Sequence, residues 1–410
     1  MGTVIIGGGH AGAAVAIELR RAGYVEPIII IGGEPCLPYQ RPPLSKGWLK
    51  GEVDQDGITL RPAEWYANND VKVLLSTRVE AIDRETRTVR LAPVGELPFD
   101  HLVIATGARA RRLTLPGADL AGVLSLRTAA DAGLLKSRIH AGARVVLIGG
   151  GYVGLEIAAS ARALGAEVTV LEREKRVLAR VACPELSTFF SRVHGEHGVT
   201  IQVEAGVTGF VGAGEHVSGV QLADGTVIAC DVVVVGIGAI PNDDLARASG
   251  LPCDDGIIVD GSSRTGDENI FAIGDVSRRA MARYGRAIRF ESVPSVLEQS
   301  RQVAAAIVGK PAPAEELQWF WSDQYDLKMQ IAGMAFDCDR IVRRGDPGGN
   351  RFALFHLRED RIEAVEAINM PGEFMFAKSL IGKGTPICAR KLADSSVPIR
   401  DISCCRGSRA

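Results

Sequence analysis

A chain of 410 residues with 46% hydrophobic and 23% charged side chains has the makeup of a globular enzyme of two to four domains, at roughly 100–200 residues each. Lysine and arginine (47) nearly balance aspartate and glutamate (49), and the net charge of −2 excludes the basic excess of a nucleic-acid binder. The cysteines are scattered without C-x-x-C or C-x4-C spacing and no run of about 18 apolar residues occurs, so no metal site, disulfide framework or membrane span is expected and the cytoplasm is the expected compartment.

Residues 3–6 form an apolar run that ends in Gly7-Gly8-Gly9-His10-Ala11-Gly12; a helical stretch follows to Ala22, and a second apolar run at 28–31 leads to Glu34. The opening thus reads as a strand and turn rather than a secretory signal, and Ile6 stands where a myristoylation motif needs Ser or Thr. Strand, G-x-G-x-x-G, helix, strand and then an acid about 20 residues past the loop is a dinucleotide-binding order. Gly7 allows the tight turn, Gly9 lets a pyrophosphate approach the backbone, and Gly12 lets helix and strand pack closely. The helix N-terminus turns unpaired N–H groups to the phosphates, and Glu34 can accept from the adenosine ribose. Residues 78–91 then alternate as a small β meander with a turn at 84–86, closed by an apolar strand and Ala105-Thr106-Gly107.

The construction returns at 144–148, a strand leading into Gly149-Gly150-Gly151-Tyr152-Val153-Gly154, a helix at 155–164, and a strand at 167–171 ending in Glu172. Residues 200–229 repeat the meander, with a turn at 212–214, and lead to an apolar strand closed by Gly236-Ile237-Gly238. One such loop is weak; two in strand–loop–helix context, each followed by an acid, are strong. Glu172 favours NADH, because a carboxylate bonds the free 2′-hydroxyl and repels the 2′-phosphate of NADPH; Arg173, Lys175 and Arg176 pull the other way. Farther on, 265–275 reads as a strand ending in Gly274-Asp275. Ser292 can cap a helix over 293–308 with Pro294 in its first turn. Beyond 317 come alternating strands, such as 351–357 and 362–368, and a helix near 373–381. The fold class is α/β: two Rossmann-like three-layer dinucleotide-binding domains, at 1–110 with 236–316 and at 111–235, plus a C-terminal α+β domain at 317–410.

These residues together resemble the flavoprotein family with two dinucleotide-binding domains that includes glutathione reductase, over essentially the whole chain. T-G-x-x-N-I-F-A-I-G-D at 265–275 is similar to its second FAD fingerprint, whose aspartate, here Asp275, holds a ribityl hydroxyl. The resemblance assigns the first glycine loop to FAD and the second to NADH. Pro38-Tyr39-Gln40-Arg41-Pro42-Pro43-Leu44-Ser45-Lys46 and the later Trp321-Ser322-Asp323-Gln324 narrow it to the oxygenase-coupled, putidaredoxin reductase-like ferredoxin reductases.

In that family Lys46 lies near flavin N5 and pairs with Glu156, where it stabilises negative charge on reduced flavin. Disulfide reductases and NADH peroxidases need a sulfur in the run that here reads Leu44-Ser45-Lys46-Gly47. Electrons must then leave directly from the flavin edge, which favours one-electron partners. The resemblance further implies FAD contacts from His10, Ala11, Ala105, Thr106, Gly107 and Gly274. Arg41 is a candidate for the pyrophosphate, and Glu291, Ser292 and Val293 lie at the helix end facing the flavin pyrimidine. Trp321 either shields the flavin edge or packs a domain interface. The resemblance adds Tyr152, Val153 and Gly238 to the NADH set and makes Tyr152 a candidate cover over the flavin. Arg109, Arg111 and Arg112 form one basic stretch; Arg278, Arg279, Arg283, Arg286 and Arg289, with Arg301 beyond, form another. The docking candidates for an acidic [2Fe-2S] ferredoxin are Arg278, Arg279, Arg283 and Arg301, the alternative being a solvated surface. Cys36 reads as a packing cysteine, and Cys404-Cys405 as lacking the flavin-side disulfide with which a mercuric reductase pair works. A monomer or weak homodimer is expected. The rival readings are a monodehydroascorbate or quinone reductase, and a binding flavoprotein like apoptosis-inducing factor.

Overall fold

The computed structural model describes residues 1–402. The chain divides into two compact units: Met1–Pro43, Val53–Ala110 and Ala239–Glu316 make the first, and Leu44–Glu52, Arg111–Gly238 and the chain from Leu317 onward make the second. Two differences from the expected boundaries stand out. The short run Leu44–Glu52 belongs to the second unit, where Leu49 is buried in the core with Leu135 and Leu155. The region expected as a third domain clusters with residues 111–238 in that same unit. No helix among the described residues is long and apolar enough to cross a membrane.

In the first unit a five-stranded parallel sheet runs in the order Ile270–Ala272, His101–Ile104, Thr3–Ile6, Ile28–Ile31, Val71–Leu74. Its central strands are short apolar runs because both faces are covered, one by the helices His10–Arg21 and Val293–Ile307 and the other by Ile82 and Val89 of the antiparallel meander with Phe99 and Ala246. The helix His10–Arg21 turns Ala11, Val15 and Leu19 into a core with Val296, Val303 and Ala304 of the helix Val293–Ile307. Of the expected strand 265–275, Ile270–Ala272 forms the strand. Asp267 accepts from the Asn269 N–H in the turn before it, and Gly274, at φ +73°, bends the chain into the 3-10 turn Gly274–Val276 after it.

The same unit holds a buried ion pair. Arg279 donates to Glu298 at 2.7 Å, and their side chains are 2% and 1% exposed. Glu298 also accepts from Gln302 and from the Glu316 N–H. Removing one partner strands the other charge, so Glu298→Ala is expected to lower unfolding free energy by about 3–5 kcal/mol in a urea titration, while a well-packed apolar replacement of both residues should cost much less.

The second unit repeats the plan. Its parallel sheet runs Val199–Gln202, Glu167–Leu171, Arg144–Ile148, Val232–Val235, Val123–Leu124. A five-stranded antiparallel sheet follows, in the order Trp319–Gln324, Leu327–Gly333, Arg361–Ile368, Arg351–Arg358, Arg340–Asp346. Strand alternation sorts Arg351–Arg358 onto two covered faces. Phe352 and Leu354 pack with Phe189 and Phe190 of the helix Pro184–Glu196, while Ala353, Phe355 and Leu357 meet Phe374, Ala377 and Ile381 of the helix Pro371–Lys383. Two covered faces explain why this strand is apolar almost without interruption.

Candidate functional site

The first glycine loop is shaped by backbone contacts that admit no side chain. Gly7 sits at φ +127°, and a Cβ there would lie 2.1 Å from the Ala105 carbonyl oxygen; one on Gly12 would lie 2.0 Å from the Gly7 oxygen. Gly9 differs, since the nearest atom to a Cβ there is Arg41 Nη2 at 4.0 Å. Its open side adjoins the start of His10–Arg21, a helix with no side-chain cap and no acid in its first turn. That is an anion site by construction. Glu34 accepts from the Tyr39 hydroxyl at 2.7 Å and from Arg41 at 2.8 Å, so Arg41 spans the space between the acid and the open glycine. His10 Nδ1 is buried without a hydrogen-bond partner, and burial pushes the imidazole below its ordinary range against the pull of Asp275. A neutral imidazole, an uncapped helix end, an open glycine and a terminal acid fit the pyrophosphate and adenosine of FAD.

The segment Ala105-Thr106-Gly107 is held by Asn242. Thr106 Oγ1 donates to the Asn242 carbonyl, and Asn242 Nδ2 donates back to the Thr106 carbonyl. The Gly274 N–H donates to Gln299 Oε1 at 2.7 Å, fixing the turn that carries Asp275. Ser292 Oγ accepts the Ser295 N–H as the cap of Val293–Ile307. Glu291 is paired with Arg289 at 2.5 Å.

The second loop repeats this geometry within its own unit. A Cβ on Gly149 would lie 2.4 Å from the Gly236 oxygen and one on Gly154 2.3 Å from the Gly149 oxygen, yet nothing lies within 4 Å of one on Gly151. The helix Tyr152–Ala163 again has an uncapped start, with Val153 exposed in its first turn. Glu172 accepts from the Gly150 N–H at 2.7 Å and the Glu174 N–H at 2.9 Å, which aims the carboxylate along the loop. Arg176 is tied to Ala179, Ala182 and Ser187, and Arg173 to Glu174. Gly238 turns the chain at φ +104°. Tyr152 donates to the Val181 carbonyl, and its ring stands edge-on to Phe320 at 4.8 Å. Trp321 packs beside Trp319 at 5.7 Å between ring centroids.

A buried polar constellation centres on Glu156, whose side chain is 6% exposed. Lys46 Nζ lies 2.6 Å from Oε2, Ser45 Oγ donates to the same oxygen at 2.6 Å, and Ser322 Oγ donates to Oε1 at 2.5 Å. Gln324 Nε2 donates to Ser322, and Ser160 Oγ donates to the Ser45 carbonyl. The two family-specific segments therefore meet on one buried carboxylate. Lys46 and Glu156 are candidates from the sequence; Ser45, Ser322 and Gln324 stand inside the quoted motifs without being singled out, and Asn242 and Gln299 stand outside them.

One docking candidate is corrected. Arg279 is buried against Glu298 and offers no charge to a partner, because alternation along Ser277–Met281 points it inward while Arg278 points outward to Asp254. Arg301 is half-buried and paired with Glu316. The described cysteines are free, and burial pushes the thiols of Cys36, Cys253, Cys230 and Cys338 upward, the last two to about 11. Cys404 and Cys405 lie outside the described residues.

Residues 1–290 match the pyridine nucleotide-disulphide oxidoreductase family, and residues 319–403 match the reductase C-terminal family. The chain is 46% identical over 401 residues to a probable ferredoxin reductase, CtmF, of Castellaniella defragrans, covering 98% of each. It is similar to the reductase of the covalent putidaredoxin reductase–putidaredoxin complex, at TM-score 0.95 and 39% identity over 98% of this chain and 97% of that one. The ferredoxin reductase for the CYP199A2 system from Rhodopseudomonas palustris has the same TM-score, with 40% identity over 98% of this chain and all (100%) of that one.

Proposed function

The chain belongs to the pyridine nucleotide-disulphide oxidoreductase family, and on that premise we propose that it is an FAD-dependent NADH:ferredoxin reductase. It passes electrons singly to a [2Fe-2S] ferredoxin that serves a dioxygenase or a cytochrome P450. The observation that carries this reading is Lys46, bound to Glu156, in the run where thiol-using relatives need a sulfur. Bound FAD supplies the conversion of a two-electron hydride into single electrons. The chain supplies the rest: uncapped helix ends for two pyrophosphates, acids for two riboses, and a lysine whose charge opposes the negative charge of reduced flavin.

We infer a cytoplasmic location, which the scattered cysteines suit, and a monomer or weak homodimer. Arg278, Arg283 and Arg301 are proposed to steer an acidic ferredoxin; raised salt should then depress turnover with ferredoxin more than turnover with a neutral small acceptor. The test of function is anaerobic stopped-flow. NADH should bleach the flavin rapidly, and an oxidised [2Fe-2S] ferredoxin mixed next should be reduced in one-electron steps. Rapid bleaching with no transfer to any ferredoxin would transfer the assignment to quinone or monodehydroascorbate reduction, or to an apoptosis-inducing-factor-like binding role.

Cofactor choice is tested at Glu172. Glu172→Ala removes a charged acceptor worth about 1.5–3 kcal/mol. It is expected to lower kcat/KM for NADH roughly 10- to 100-fold and to narrow the margin over NADPH. Tying Arg176 to backbone carbonyls withdraws one rival phosphate ligand.

A further inference from the structure

We propose that Cys183, His356 and Glu366 form a binding site for a borderline-soft divalent cation of the zinc type. Their sulfur, imidazole nitrogen and carboxylate oxygen all lie within 4.8 Å of one another, and all three residues are buried. Cys183 stands at the N-cap of Pro184–Glu196. His356 and Glu366 lie on adjacent antiparallel strands, where Leu354 pairs with Glu366, so the two-residue alternation puts both side chains on the face toward that helix. Cysteine spacing gave no sign of this site because its ligands come from distant parts of the chain.

A second observation points the same way. His356 Nε2 and Glu366 Oε2 are buried with no hydrogen-bond partner, on side chains 5% and 6% exposed. They are 3.6 Å apart, longer than a charge-assisted hydrogen bond of about 2.7–2.9 Å. The other carboxylate oxygen accepts the Cys183 N–H at 3.1 Å, which holds Glu366 against the thiol. Zinc bonds of about 2.0–2.3 Å place tetrahedral ligand atoms about 3.3–3.8 Å apart, so this cluster needs a contraction of only about 1 Å at its widest. A thiolate, a carboxylate and a neutral imidazole cancel the charge of one divalent cation, which makes burial tolerable. Sulfur and nitrogen donors exclude magnesium and calcium as natural occupants. The fourth position falls to water. Tyr152 donates to Val181, two residues before Cys183, so a cation here braces the segment that receives the second glycine loop.

The test uses the FAD-loaded full chain, with Cys404 and Cys405 both changed to serine to remove competing thiols. After chelation it is titrated with Zn²⁺ by calorimetry, and zinc-edge X-ray absorption, which the flavin does not obscure, reads the ligands. The expected result is one zinc per chain, a single sulfur in its shell, and a Tm that rises with zinc concentration. Cys183→Ser should weaken binding by more than the roughly 10- to 100-fold typical of an outer-shell change. Glu366→Gln keeps an acceptor for the Cys183 N–H and should lose zinc as well. The proposal is overturned if the serine background takes up no stoichiometric zinc, or if the sulfur signal survives Cys183→Ser.

Discussion

Replacing Lys46 with methionine is expected to slow NADH-driven bleaching of the flavin by roughly 100- to 1000-fold, the range for removing one preorganised electrostatic contact at a centre where charge develops. The reason lies in how the lysine is held. Its side chain is 18% exposed, and its ammonium is bound at 2.6 Å to a carboxylate that two serine hydroxyls also engage. A charge fixed this way costs no reorganisation when negative charge appears beside it. Stability should suffer less than the about 3–5 kcal/mol typical of a broken buried pair, because Ser45 and Ser322 still donate to Glu156. Glu156→Gln should lower the same rate, and the double variant should fall little further, since the two residues act as one device. Stopped-flow rates beside urea titrations separate the readings. A normal rate with reduced stability would make the pair a structural brace and remove Lys46 from the chemistry.

The parts of this architecture visible in the sequence are those written locally. Gly7, Gly12, Gly149 and Gly154 announce close backbone approaches because only glycine permits them, and the structure finds a carbonyl oxygen within 2.4 Å of where each Cβ would stand. Glu34 and Glu172 are legible because each comes just after the strand beyond its glycine loop, about 20 residues past the last glycine. The partners of Glu156 are not written this way. Ser45 and Ser322 lie 111 and 166 residues from it along the chain, and a serine carries no pattern that marks it as a buried donor. Arg279 was misread for a different reason. Arginine is an exposed residue by default, and only the alternation along Ser277–Met281, together with Glu298 and Gln302 a helix away, turns it inward. Long-range polar pairing is where local pattern stops informing.

Two alanine substitutions in the second glycine loop should fail in opposite ways. Gly154→Ala would force a Cβ to 2.3 Å from the Gly149 oxygen, and both sides of that clash are backbone. Overpacking costs typically about 1–3 kcal/mol where side chains can yield; here they cannot, so a loss above about 3 kcal/mol, poor yield and weak NADH binding are expected together. Gly151→Ala meets no protein atom within 4 Å, and Gly151 already holds φ −80°, which alanine adopts freely. Its unfolding midpoint should stay level or rise slightly, since alanine narrows the unfolded ensemble by about 0.4–1 kcal/mol. Yet its methyl group occupies the open side of the loop at an uncapped helix start, and a pyrophosphate displaced by about 1 Å can cost on the order of 100-fold. A large rise in KM for NADH without loss of stability would therefore establish that the open face is where phosphate lies. An unchanged KM in Gly151→Ala would mean that the loop is shaped for chain packing alone, and the nicotinamide site would have to be sought on another face of the sheet.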